Sequence, residues 1–291
     1  MKGSTGKLRQ LFLAGTASAA LFMSTSASAI DVDAGDYQAA PPGTNLGLLY
    51  LQHASRDDLN TDIGILRLVH FTEIGGMVAD PQVLIPFGRV DPRGRLAESD
   101  GSSGIGDVIF ASTFWPQNDP DRGVWTGFTP YLYVPTGEYD RNKETLNLGE
   151  NRWKFNLQVA HVRRLSERFS IDLVGDVMIH GDNKDFGSDG VTRSQDPLYQ
   201  VQGWLRYHTS PTSDLRFLVS HVWGGENTFD GVAAGDEARV TKVGIGGSFF
   251  VGPKTQIIAI AGRDVSVRDH PGLADGLKED GRVNIRILRI F

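Results

Sequence analysis

Histidine and serine are the side chains in this sequence that could support nucleophilic or zinc-dependent chemistry. The seven histidines are scattered, without HxH or HxxH spacing, and the chain has no cysteine, so the ligand spacing of a zinc site is missing. Ser220 and His221 are adjacent in an alternating apolar segment. Consecutive side chains of a strand point to opposite faces, so these two cannot bond as nucleophile and base. The sequence therefore predicts no catalytic residues, no metal site and no enzymatic activity.

Two glycine-rich segments could hold a ligand but depart from the patterns that do so. Asp182, Asp185 and Asp189 supply oxygen atoms that calcium accepts, yet their spacing differs from an EF-hand loop and the terminal glutamate is missing. The glycines of 101–107 lack the spacing of a dinucleotide-binding loop. We interpret both segments as solvated loops and expect no cofactor.

Charged and amide side chains recur instead at every second position of apolar segments. Trp153, Phe155 and Leu157, for example, alternate with Lys154 and Asn156, which is the period of a strand with one apolar and one polar face. A membrane barrel turns the apolar face to lipid and the polar face to its lumen. The residues that this pattern assigns to the lumen are Arg67, Arg152, Lys154, Asn156, Gln158, Asp172, Asp176, Gln202, Arg206, Arg216, Lys242 and Arg286.

The charges in this set have two interpretations, and the sequence leaves both open. They form structural ion pairs that fill a narrow barrel, or they line a passage and set its selectivity. Aromatic residues near strand ends are expected to lie at the two membrane interfaces. They are Tyr131, Tyr133, Trp153, Tyr199, Tyr207 and Trp223.

Twelve segments carry the aromatic and β-branched composition of strands, separated by clusters of Gly, Asp, Asn and Pro. They are 44–53, 61–71, 77–88, 104–115, 123–135, 150–164, 168–180, 197–209, 214–224, 237–250, 254–266 and 280–291. Short connections alternate with long ones along the chain, which is typical of an up-and-down barrel with turns at one rim and loops at the other. Lipid cannot satisfy a free strand edge, so the last strand must pair with the first. The predicted fold is all-β: a transmembrane, antiparallel up-and-down β-barrel of about twelve strands, closed by its first and last strands.

The first 29 residues have the composition of a secretory signal peptide. Basic residues precede the apolar segment 11–23, and Ala27 and Ala29 form a small-residue cleavage site. We therefore expect cleavage after Ala29 and a barrel over 30–291. Cleavage leaves 26 basic and 35 acidic residues, so the formal charge changes from −6 to −9, and this acidic balance argues against nucleic acid as a partner.

The chain ends on an aromatic residue that closes an alternating strand. Val283, Ile285 and Ile287 share one face with Phe291, while Asn284 and Arg286 take the other. This ending resembles the terminal signal of bacterial outer-membrane barrels. We therefore expect Phe291 to act as an assembly signal for the barrel-assembly machinery of a Gram-negative outer membrane.

Several motifs along the chain resemble one protein family. They include 31–37 (DVDAGDY), 131–137 (YLYVPTG), 146–153 (LNLGENRW) and 204–208 (WLRYH). The sequence is similar in these segments to the meta-pathway phenol-degradation family of proteobacterial outer-membrane proteins, often called transporters. The resemblance covers essentially all of 30–291 and implies a barrel that admits hydrophobic or aromatic compounds.

These features together predict a monomeric outer-membrane channel for the passive uptake of small hydrophobic or aromatic compounds, in contact with outer-membrane lipid. Two alternatives remain: an outer-membrane lipid-modifying enzyme, and a structural or adhesive barrel with a plugged lumen. The missing Ser/His geometry counts against the enzyme. Substrate identity does not follow from the sequence, because the loops decide how open the lumen is.

Overall fold

The computed structural model describes residues 32–267 and 278–291, and the predicted signal peptide lies outside them. Twelve long strands of 10 to 16 residues dominate the described chain. They are β1 (Asn45–Ser55), β2 (Leu59–His70), β3 (Met77–Pro92), β4 (Val108–Asp119), β5 (Val124–Val134), β6 (Lys154–Arg164), β7 (Phe169–His180), β8 (Leu198–Ser210), β9 (Ser213–Gly224), β10 (Ala238–Phe250), β11 (Thr255–Val267) and β12 (Gly281–Ile290). Their bounds agree with the predicted strands to within a few residues.

The strands close into one barrel. Each pairs antiparallel with the next along the chain, and β12 pairs with β1. The register of this closing pair runs from Leu46 opposite Ile290 to Ser55 opposite Gly281. The Phe291 amide extends it by donating to the Asn45 carbonyl oxygen at 3.0 Å. The predicted up-and-down barrel, closed by its first and last strands, is confirmed.

The wall changes partner once, along β3. Its pairing with β4 ends at Leu84 opposite Ile109, and residues 87–90 of β3 pair with the short strand Ser102–Ile105. Pro86 lies between these two pairings, where its missing N–H interrupts the ladder. Two residues on, a Cβ at Gly88 would lie 2.1 Å from the Asp62 carbonyl oxygen, so only glycine fits there.

Apolar side chains cover the outside of the barrel and polar ones fill the inside. On β6, Phe155, Leu157 and Val159 are exposed, whereas Lys154 and Asn156 are buried. This arrangement inverts the order of a globular protein and matches a barrel whose outer face meets lipid.

The connections differ in length at the two rims. At the short-turn rim the chain reverses within a few residues, and the strand Thr72–Ile74 pairs with the start of β3. At the long-loop rim, four short strands form a second sheet that the sequence did not predict: Asn183–Phe186, Val191–Gln195, Asn227–Phe229 and Val232–Ala233. Two 3-10 helices, Gly94–Leu96 and Arg141–Leu146, lie in the loops. In the described part of the chain, no helix is long and apolar enough to cross a membrane.

Residues 32–40, which precede β1, lie inside the barrel, and we call them the luminal segment. Val32, Ala34 and Tyr37 are buried. A tight turn folds the segment, because the Asp36 amide donates to the Asp33 carbonyl oxygen at 3.1 Å. Gly35 adopts a φ of 90° in this turn, a conformation that glycine accepts without strain. The segment thus divides the lumen between the two rims.

Candidate functional site

Side chains from the barrel wall hold the backbone of the luminal segment. Buried carbonyl and amide groups need partners, and the wall supplies them from four strands. The Nε1 atoms of Trp204 and Trp115 donate to the carbonyl oxygens of Val32 and Tyr37 at 2.9 Å each, Arg216 Nη1 donates to the Ala34 carbonyl oxygen at 2.9 Å, and the Gly35 amide donates to Asp172 Oδ2 at 2.6 Å.

The Tyr37 side chain reaches a second group of wall residues. Its hydroxyl lies 2.7 Å from Thr129 Oγ1 and donates to Gln158 Oε1 at 3.0 Å. Thr129 and Gln158 are fully buried. Tyr37 thus links the segment to β5 and β6 through hydrogen bonds shielded from water.

Two aspartates of the luminal segment pair with two arginines of the wall. Asp36 Oδ2 accepts from Arg67 Nη1 at 3.0 Å, and Asp36 Oδ1 accepts from Arg286 Nη1. Asp33 Oδ2 lies 3.2 Å from Arg286 Nη1. Burial alone would raise the pKa of the Asp36 carboxyl, but Arg286 and Arg67 outweigh it and hold the pKa below its usual value. Asp36 is therefore ionised at neutral pH.

The luminal segment separates two cavities. The outer chamber, on the long-loop side, has a volume of about 270 Å³. The inner chamber, on the short-turn side, has a volume of about 820 Å³. A solute that crosses the barrel through the lumen passes both.

Apolar side chains from five strands line much of the outer chamber: Ile63, Ile65, Leu84, Ile109, Leu218 and Ile260. Gly244 and Gly262 face the same space without adding side chains. Tyr131, Tyr133 and Trp204 complete the wall. An apolar cavity of about 150 Å³ takes up benzene in other proteins, so the outer chamber has room for one aromatic ring.

Cations lie toward the long-loop end of the same chamber. Arg56, Lys242 and Arg282 line it, and all three pair with Glu279, at N–O distances of 2.5, 3.2 and 2.5 Å. Burial would raise the pKa of Glu279, but Arg282, Lys242 and Arg56 hold it below the usual range. The apolar wall thus ends in a charged rim.

The twelve residues assigned to the lumen from the sequence all lie on the inner face, and each has a hydrogen-bond or ion-pair partner. Arg67, Asp172, Gln158, Gln202, Arg206, Arg216 and Arg286 contact the luminal segment. Asn156 and Gln158 donate to Asp176. Arg152 and Lys154 pair with Glu150, and Lys242 pairs with Glu279. Whether any of them acts on a solute stays a proposal.

The predicted interfacial position is wrong for two of the six aromatic residues. Tyr131 and Tyr133 are buried and line the outer chamber, where Tyr131 donates to Gln158 Oε1 at 3.2 Å. On β5 the outward residues Phe128 and Leu132 are apolar as well. The alternation of residue types therefore could not identify which of the two alternating sets of side chains faces lipid.

Sequence reasoning also missed the luminal segment. Asp33, Asp36 and Tyr37 fall within the family motif at 31–37, but that motif carries no periodicity that indicates a position inside a barrel. Two aspartates in a short segment ahead of an arginine-lined barrel are the only signal that could have suggested it.

The side chains considered for catalysis or metal binding are not assembled. Ser220 is buried and its hydroxyl accepts from Gln200 Nε2 at 3.0 Å, whereas His221 Nδ1 lies 2.8 Å from Thr241 Oγ1. Ser220 and His221 thus engage separate partners. Among the described residues, no group of three or more His, Asp or Glu side chains could hold a metal ion.

Comparisons with known proteins place this barrel among its relatives. Residues 35–276 match the family described as "Putative MetA-pathway of phenol degradation". The COG4313 outer membrane channel from Pseudomonas putida F1 is 38% identical, with a TM-score of 0.83 over 90% of this chain and 100% of that chain. The translocator domain of the autotransporter NalP from Neisseria meningitidis is 9% identical, with a TM-score of 0.51 over 88% and 90% of the two chains, a likeness of fold alone. No curated protein sequence matches.

The family match spans most of the chain and includes β1 to β11 and residues 35–40 of the luminal segment. The similarity to the Pseudomonas protein extends over 90% of this chain at 38% identity. This chain belongs to the MetA-pathway of phenol degradation family.

Proposed function

We propose that this protein is an outer-membrane channel for the passive uptake of small hydrophobic or aromatic compounds. It functions as a monomer in contact with outer-membrane lipid, after removal of residues 1–29 and insertion by the barrel-assembly machinery. The long loops face the cell exterior and the short turns face the periplasm. The solute diffuses from the outer chamber, past the luminal segment, to the inner chamber.

The outer chamber is the observation that carries this proposal. A hydrophilic pore needs a continuous water-filled path, whereas isoleucine, leucine and aromatic side chains from eight strands supply much of the lining of this chamber. Ligand sites for small apolar molecules are concave, mostly apolar and bounded by a few polar groups. The chamber is concave and most of its lining is apolar, although it carries more charged groups than such a site usually has, among them Arg67, Asp107 and Lys154.

Two other functions use the same barrel. A lipid-modifying enzyme would need a nucleophile and a base within hydrogen-bond reach, and Ser220 and His221 bond elsewhere. A structural or adhesive barrel with a plugged lumen is favoured by the luminal segment itself. The plugged barrel is therefore the alternative that the experiment must separate.

The test measures the binding of radiolabelled toluene to the purified protein in amphipol by equilibrium dialysis. We expect saturable binding that Gly244→Leu abolishes, because a Cβ at Gly244 contacts Leu218 Cβ at 3.4 Å and the added side chain extends into the outer chamber. The matched control is Gly203→Leu. Gly203 lies on the opposite face of its strand from Gln202, and its Cβ would meet only Leu173 Cδ2, at 3.9 Å.

The control variant should bind toluene as the wild type does. Equal binding by wild type and Gly244→Leu would refute the chamber as the solute site. Absence of saturable binding by the wild type would favour the plugged structural barrel.

A further inference from the structure

We infer that the Asp36–Arg67 ion pair is the constriction that a solute crosses between the two chambers, and that Arg67 determines the charge selectivity of this step. The inference rests on the proposed channel function. It assigns the gate to one pair of side chains and leaves the luminal segment in place during passage.

The lining of the two chambers supports this assignment. Among the described residues, Asp36 and Arg67 are the two that line both chambers. Arg67 extends inward from β2 and Asp36 projects from the luminal segment, and their charged atoms meet at 3.0 Å. The pair therefore forms part of the partition itself.

The pair is held on the wall side by neutral groups. Arg67 Nη1 also donates to the Tyr50 hydroxyl at 3.0 Å, and Arg67 Nε donates to Gln82 Oε1 at 2.7 Å. These two bonds keep the guanidinium near the wall when the contact with Asp36 opens. Asp36 meanwhile retains Arg286, so neither charge is left without a partner of opposite sign or a hydrogen bond.

Withdrawal of the luminal segment is the competing route, and it disrupts far more. The carbonyl oxygens of Val32, Ala34 and Tyr37 would each lose a buried donor, and the Tyr37 hydroxyl would leave Thr129. Each buried polar group stranded in this way carries a desolvation cost. Opening the Asp36–Arg67 ion pair, in contrast, breaks a single contact.

The charges around the pair predict its selectivity. Asp33 and Asp36 lie on the luminal segment and Asp80 lines the inner chamber, while Arg67 and Arg286 are the nearest cations. Arg67→Ala removes one of the two cations at the constriction and shortens the side chain that closes it. Rings of fixed charge set ion selectivity in narrow pores, so the variant should conduct more and should be shifted toward cation selectivity relative to the wild type.

The experiment records single-channel conductance and reversal potential in planar bilayers under a salt gradient. We expect Arg67→Ala to raise conductance severalfold and to shift the reversal potential toward cation selectivity. The comparator is Trp115→Phe, which loosens the luminal segment without altering a residue that lines either chamber. Its conductance should rise less than that of Arg67→Ala. Heat-modifiable migration in detergent gels checks that each variant is folded.

A barrel lacking residues 32–40 separates the failure of this inference from that of the proposed function. The inference is wrong if the deletion variant conducts but Arg67→Ala has the conductance and reversal potential of the wild type. It is also wrong if Trp115→Phe raises conductance more than Arg67→Ala does. If even the deletion variant fails to conduct, the channel function fails and the inference falls with it.

Discussion

Replacement of Trp115 by phenylalanine should loosen the luminal segment by an amount that the structure allows us to work out. Trp115 is 3% exposed, and its Nε1 donates to the Tyr37 carbonyl oxygen at 2.9 Å. Phenylalanine keeps an aromatic ring to pack against Phe71, 5.6 Å away between ring centroids, but removes the donor. A buried carbonyl that loses its partner costs about 1–3 kcal/mol.

This cost translates directly into the population of the unseated segment. A change of about 1–3 kcal/mol corresponds to a factor of about 5–150 in an equilibrium constant. Amide exchange that requires unseating should accelerate by the same factor, since local opening controls it. The amides to follow are those of Gly35, Asp36 and Gln38, which donate to Asp172, Asp33 and Gly35.

Hydrogen–deuterium exchange read by mass spectrometry on peptides covering 32–40 measures this factor. Trp153→Phe is the matched control, because it removes the same atoms as Trp115→Phe from a side chain that is 54% exposed. No hydrogen bond to the luminal segment is lost in this control. Exchange should be unchanged in the control. Unaltered exchange in Trp115→Phe, with the barrel folded, would refute the view that wall side chains hold the segment through its backbone.

Two further predictions concern assembly and acid stability. Deletion of Phe291 should reduce the amount of protein in the outer membrane, measured by fractionation, because its amide extends the closing ladder at Asn45; normal levels would contradict this. Burial would raise the pKa of Glu150, but Lys154 and Arg152 hold it well below the usual range. A depressed carboxyl pKa stabilises the fold above the ordinary glutamate value of about 4.3 and loses its effect as pH falls through the folded value. Proteolysis of the loop 135–153 should therefore stay slow from neutral pH to about 5 and accelerate in stronger acid. Glu150→Gln should accelerate this proteolysis already at neutral pH. A pH profile of Glu150→Gln identical to that of the wild type would contradict the stabilising role of the Glu150 carboxylate.

The barrel could be predicted from the sequence because its rules are local. Period-two alternation identifies strands such as β6, and the alternation of short and long connections identifies the order of pairing. Closure follows from the requirement that no edge face lipid, which gave the β12 segment its partner at 44–53. The hydrogen bond from the Phe291 amide to the Asn45 carbonyl oxygen continues this pairing between the last and first strands.

The inside of the barrel could not be predicted in the same way. The luminal segment has no repeat, and its partners Trp115, Asp172, Trp204 and Arg216 are 78 to 182 residues away in sequence. Hydrogen bonds over such separations follow from the closed fold and not from local composition. Because β5 is apolar on both faces, the inward position of Tyr131 required the register of the whole barrel.

The most direct test of the proposed uptake is the flux of toluene into whole cells. A Gram-negative host with an intact outer membrane and a cytoplasmic toluene-oxidising enzyme consumes external toluene at a rate that outer-membrane passage limits at low concentration. The account predicts that the wild-type protein and Gly203→Leu raise this rate, whereas Gly244→Leu, with its outer chamber filled, leaves it near that of cells without the protein. Equal rates with all three proteins, or no increase with the wild type at the same outer-membrane level, would contradict the account.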